Sequence, residues 1–112
     1  MKQPKPRIFR SANTKFTSFA PPEGCRLAMT QVRIDNSNEC QFCLRIDIGS
    51  RTRFLAYLGR GDLVSNHKQI DVKLPRPIIG QPGESITIDV SDQLPITITI
   101  TGYEMPADAV GF

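Results

Sequence analysis

Cys40-Gln41-Phe42-Cys43 places two thiols at C-x2-C spacing, with a third thiol at Cys25 and the chain's one imidazole at His67. Three thiolates and an imidazole are a donor set that tetrahedral zinc accepts. Two features argue against a site here. C-x2-C ligands normally sit in a knuckle loop, whereas Cys40–Cys43 runs into the alternating segment Phe42, Leu44, Ile46, Ile48, and residues three apart on a regular strand face opposite ways. A second C-x2-C pair is missing. The expectation is three reduced thiols, since an odd number cannot all pair, and no metal or cofactor.

Other chemistry is equally sparse. His67 lies in the polar run Ser65-Asn66-His67-Lys68-Gln69, which reads as a solvated loop. No serine occupies a glycine-rich elbow and no Cys–His pairing marks a nucleophile. Asp47, Asp71 and Asp89 fall on polar strand faces, with no spacing that defines a catalytic carboxylate pair. No glycine loop for phosphates is present. These residues predict a protein that is not an enzyme. Arg60-Gly61-Asp62 matches the adhesion tripeptide read by integrins, but three residues in a glycine turn carry little weight.

The richer pattern lies at the N-terminus. Residues 1–22 hold Lys2, Lys5, Arg7, Arg10 and Lys15 with no acid, together with Phe9, Phe16 and Phe19. Basic residues interleaved with aromatics suit two roles. They can track phosphates and stack bases, or they can form an arm that orders only against a neighbouring subunit, with the phenylalanines as anchors. The second reading is preferred, because three phenylalanines in water are an association hazard. The expected partner-binding residues are Lys2, Lys5, Arg7, Phe9, Arg10, Lys15, Phe16, Phe19 and, at the other end, Phe112. Within the arm, a short strand over 15–20 would put Phe16 and Ser18 on one face and Thr17 and Phe19 on the other.

The body must position these ends. Glu84 to Thr101 is its clearest stretch: Ile86, Ile88 and Val90, then Ile96, Ile98 and Ile100, alternate with Ser, Thr and Asp. Period-two alternation of β-branched residues signals strands with one buried face. Upstream, Cys25 to Asp35 predicts a strand with Ala28, Thr30, Val32 and Ile34 inward and Met29, Gln31 and Arg33 outward. Cys40 to Ile48 predicts a second, with Phe42, Leu44, Ile46 and Ile48 inward, joined to the first as a hairpin through Asp35-Asn36-Ser37-Asn38-Glu39. Arg51 to Leu58 fits a strand or a short helix. Leu63 to Leu74 carries Ile70, Val72 and Leu74 in alternation, and Pro75-Arg76-Pro77 restricts this segment to a sheet edge. Ile78-Ile79 reads as a further short strand.

Strand signals every ten or so residues, separated by Gly, Pro and Asn turns, predict an all-β, single-domain antiparallel β-sandwich. A jelly roll is the first choice and an immunoglobulin-like sandwich the second. Seven or eight strands are expected. The division is an extended basic arm over 1–22, the sandwich over 23–104 and a tail over 105–112. The 112 residues make one domain, with 39% apolar and 22% charged residues as in soluble proteins. No run approaches a membrane span, and no apolar leader predicts export. The net charge of +3 conceals +5 over residues 1–22 and −5 over 77–112. Such an asymmetry suits contact with an acidic surface or head-to-tail contact between copies.

The run Ile78-Ile79-Gly80-Gln81-Pro82-Gly83-Glu84-Ser85-Ile86-Thr87-Ile88-Asp89, followed by Leu94-Pro95-Ile96-Thr97-Ile98-Thr99-Ile100-Thr101-Gly102-Tyr103, resembles small virion proteins. With the small sandwich and extended ends, the chain resembles the decoration, or cement, proteins of tailed bacteriophage capsids. The resemblance covers about a quarter of the chain. It implies a jelly-roll homo-oligomer, with a trimer favoured, that binds the major capsid protein on an assembled head, is made in the host cytoplasm and ends in the virion. It implies no site residues. A phage tail or spike component is the variant that shares this fold.

Overall fold

In a computed structural model, residues 3–38, 40–58 and 69–108 are described. Among them all helical or strand structure is strand: β1 Lys5–Ala12, β2 Phe16–Phe19, β3 Cys25–Asp35, β4 Phe42–Ile48, β5 Arg51–Leu58, β6 Gln69–Ile79, β7 Ile86–Val90 and β8 Thr97–Pro106. No helix among the described residues is long and apolar enough to cross a membrane.

The pairing follows one rule. β4 pairs with β5, β3 with β6, β2 with β7 and β1 with β8, all antiparallel. The chain is thus a long two-stranded ribbon folded at the β4–β5 turn. There Gly49 has φ +64°, a left-handed conformation that favours glycine, and a Cβ on it would displace the Glu84 carboxylate. A two-stranded ribbon cannot bury its apolar face alone. It wraps on itself, β8 zipping against β3 and β7 against β4, to give the sheets β1-β8-β3-β6 and β2-β7-β4-β5. That double-sheet wrap is the expected jelly roll.

The core lies between the sheets. Phe9, Leu27, Met29, Val32, Ile34, Ile98 and Ile100 face Phe42, Leu44, Ile46, Ile48, Ile86, Ile88 and Val90. The two isoleucine-rich strands singled out by alternation, β7 and β8, lie in opposite sheets, so each helps to roof the other.

Several expectations need correction. β3 and β4 are not a hairpin, because they belong to different sheets. Their connection crosses the end of the sandwich and is tied by fully buried Asn36, whose Nδ2 donates to Cys40 O at 2.9 Å while its Oδ1 accepts from Cys40 N–H at 2.9 Å. Asn36 bonds the chain locally, but the turn steers the chain to the other layer. The first half of β3 also has the opposite phase. Leu27 and Met29 are in the inter-sheet core, while Ala28 is on the other face of the sheet yet fully buried there, because the register shifts between Met29 and Gln31. The extra residue, Thr30, resets the alternation so that Val32 and Ile34 return inward. On the far side of the bulge, Met29 pairs with Ile78 and Gln31 with Lys73, leaving Leu74–Pro77 opposite Thr30. Pro75 and Pro77 therefore occupy an interrupted ladder on an edge strand, as expected of proline, and β6 runs through to Ile79 as one strand. Arg51 to Leu58 is a strand.

The largest correction concerns the ends. Residues 5–19 are not an arm. β1 is the edge of one sheet and β2 the edge of the other, joined by a corner at Asn13, which takes φ 55° and donates its N–H to Ile96 O at 3.1 Å. The sandwich also extends beyond residue 104: Met105 is buried, Pro106 ends β8, and Ala107 N–H bonds Gly24 O at 2.8 Å.

Candidate interaction surfaces

Incorporation of the N-terminal strands divides the expected partner-binding residues. Along β1, Arg7, Phe9 and Ser11 turn inward, while Ile8 and Arg10 turn out. Phe9 is 1% exposed and its ring lies 5.3 Å from that of Phe19, across the sandwich, at an interplanar angle of 56°. Phe9 is thus a core residue whose ring is closed to a partner or a nucleic-acid base, and half-buried Phe19 packs against that core from an edge strand of the other sheet. Arg7 sits 5.9 Å over the Phe9 ring. It also donates from Nη1 to Glu104 Oε2 at 2.7 Å, with the Glu104 side chain 4% and the Arg7 side chain 40% exposed. Arg7 closes the open end of the interior and neutralises a carboxylate that water scarcely reaches. Of the set, Lys5, Arg10, Lys15 and Phe16 remain exposed. Lys2 and Phe112 lie outside the described residues. So do His67 and Arg60-Gly61-Asp62.

The three cysteines are unbonded to one another: Cys25 buried, Cys40 half-buried against the core, Cys43 exposed. Among the described residues no group of three or more His, Cys, Asp or Glu could hold a metal ion.

The outer face of the β1-β8-β3-β6 sheet is mostly polar, with Ile8 exposed on it. Register aligns Ile8, Thr101, Gln31 and Lys73 in one row, and Arg10, Thr99, Arg33 and Asp71 in the next. Gln31 Nε2 donates to Asp71 Oδ1 at 2.6 Å, and Gln69 Nε2 to Asp35 Oδ1 at 3.0 Å. Tyr103 lies on this face towards its Ala28 end, and burial pushes its phenol above the ordinary value of 10.0.

The outer face of the β2-β7-β4-β5 sheet has a different pattern. Phe16 pairs with Asp89, Asp89 with Arg45 and Arg45 with Leu55, so four residues form one row across four strands. Phe16 is 57% and Leu55 68% exposed. Between them Arg45 Nη2 reaches Asp89 Oδ2 at 3.1 Å and Arg45 Nε reaches Asp47 Oδ2 at 3.2 Å. The adjacent row is Ser18, Thr87, Asp47 and Thr52. Large apolar side chains thus flank a central charge pair. Sequence reasoning marked Phe16 but missed Leu55 and Arg45 as its companions. Only the strand register aligns them, and alternation within single strands carries no such information.

No protein-family model matches the chain, and no match was found among curated proteins.

Proposed function

We propose that this protein is a non-enzymatic structural subunit that associates with copies of itself and docks on a larger assembly, as the decoration proteins of tailed-phage capsids do. The observation that carries this reading is the distribution of exposed apolar side chains. The interior of the jelly roll is filled by its own core, yet Ile8 on one outer face and Phe16 and Leu55 on the other are left in solvent. Apolar residues on both outer faces suit a body contacted from two sides. Sheet faces and edges, rather than a free arm, are the surfaces that make these contacts.

On this reading the major capsid protein of an assembled head is the docking partner and the virion surface the final location. Binding that favours the assembled shell over free shell subunits stabilises the shell by mass action, and repeated copies add avidity. The test is gradient sedimentation with assembled tailed-phage heads and, separately, with their unassembled shell subunits. Saturable co-sedimentation with heads alone is expected. Failure to sediment with heads overturns the docking assignment.

A further inference from the structure

We infer that the outer face of the β2-β7-β4-β5 sheet is the contact for a second copy of this chain, packed face to face about a two-fold axis parallel to the strands. The row across the four strands runs Phe16, Asp89, Arg45, Leu55. Read across the sheet this is apolar, acidic, basic, apolar. A two-fold axis along the strands, midway between β7 and β4, reverses the row in the second copy. Phe16 of one copy then meets Leu55 of the other, twice, and Asp89 meets Arg45, twice. The two intramolecular ion pairs stack in opposite senses, each guanidinium over a carboxylate of the other copy. A two-fold axis along the row would instead set Asp89 on Asp89 and Arg45 on Arg45, which is repulsive. The row is therefore complementary to itself in one orientation only, as an isologous interface requires. The adjacent row agrees, because the same operation sets Thr87 against Asp47 and Ser18 against Thr52.

Size and rim fit a modest interface. Four strands at about 4.8 Å and the seven residues of β4 at about 3.3 Å give a footprint of roughly 19 by 23 Å. That is below the usual area of tight complexes, so a reversible dimer is expected. Face-to-face sheets lie about 10 Å apart and cross at about 30°, which keeps the central row in contact while the corners diverge.

This inference deepens the self-association part of the proposed function and does not depend on the larger assembly. The experiment is light scattering on the full chain at concentrations up to a few hundred micromolar, with Phe16→Asp and Leu55→Lys variants. Wild type is expected at twice the 12.5 kDa chain mass and each variant alone at the chain mass. Mixing the two variants should restore the doubled mass, because the heterodimer has one Asp–Lys and one Phe–Leu contact. Ile8→Asp, on the opposite sheet, should leave the dimer intact. Circular dichroism confirms folding of each variant. As a measurement independent of those variants, a short bismaleimide acting on Cys40→Ser protein should link Cys43 to Cys43, and Cys43→Ser should abolish the product. A monomeric wild type that still co-sediments with heads overturns this inference and leaves the docking reading standing. A three-copy particle, a mixture that stays monomeric, or an absence of the Cys43 cross-link also overturns it.

Discussion

Replacing Phe9 by alanine distinguishes a folded first strand from a free arm. The ring is 1% exposed and packs on Phe19 with centroids 5.3 Å apart. Truncating a buried phenylalanine to alanine costs about 3–5 kcal/mol in lost transfer energy and residual cavity, and the ring pair and the Arg7 contact fall within that figure. A domain of this size has a total stability of about 5–15 kcal/mol, so the substitution removes a large share of it. Urea titration followed by circular dichroism reads the change. With a slope of about 1.5 kcal/mol per M, a loss of about 4 kcal/mol lowers the midpoint by roughly 2–3 M. The neighbouring Ile8→Ala is the control. Ile8 belongs to the same strand but is 69% exposed, and its loss should change stability by about 0.5 kcal/mol or less. Equal midpoints for Phe9→Ala and wild type would refute the edge-strand assignment and restore residues 1–22 as a detachable arm.

Deleting residues 1–22 should abolish cooperative unfolding, because it removes one edge strand from each sheet, uncovers β8 and β7 and empties the Phe9 site; a sigmoidal melt would contradict this. Gly102→Ala sets a Cβ against the Ala28 carbonyl beside the β3 bulge, where backbone must yield, and should cost about 3 kcal/mol or more by the same titration. Arg7→Ala leaves the Glu104 carboxylate buried without its partner and should cost about 2 kcal/mol, partial exposure of Arg7 reducing the figure for a fully buried pair; Glu104→Gln should cost less. Tyr103 is held above the ordinary phenol value of 10.0 by burial, so the folded chain keeps that proton to higher pH than the unfolded one. Its contribution is complete below pH ~10 and is lost as pH rises through the folded value. Tyr103→Phe should therefore flatten the alkaline decline in stability measured between neutral and strongly alkaline pH.

The strands easiest to read were those whose inward positions are all branched or aromatic. In β4, β7 and β8, alternation alone assigns the buried residues Phe42 to Ile48, Ile86 to Val90 and Ile98 to Ile100. Proline marked β6 as an edge for a backbone reason that needs no tertiary information. β1 was hidden because only Phe9 among its inward residues is strongly apolar, the others being Arg7 and Ser11. Lys, Pro and Arg at its ends read as a solvated arm, yet charge and proline also blunt an edge strand, and composition cannot separate the two. The start of β3 was misphased because a bulge adds one residue without any mark in the apolar pattern. Pairing was less legible still. Residues such as Arg7 and Glu104, 97 apart in sequence, meet only after the whole ribbon has wrapped.

That wrapping bears directly on how the protein meets other molecules. In a ribbon closed by pairing β1 with β8, the first and last strands are neighbours, and each holds the other's edge. An end that reached onto a neighbouring subunit from within residues 5–106 would strip Phe9 from the core and Arg7 from Glu104. Contacts made by faces break nothing inside the subunit. The exposed charges of β1 and the looped prolines of β6 also discourage edge-to-edge growth of the first sheet. The β2-β7-β4-β5 face, with Phe16 and Leu55 flanking an ion pair, offers apolar area and charge order together, at no expense to the core. For the self-association proposed above, that face therefore gives a contact that needs no exchange of the ends.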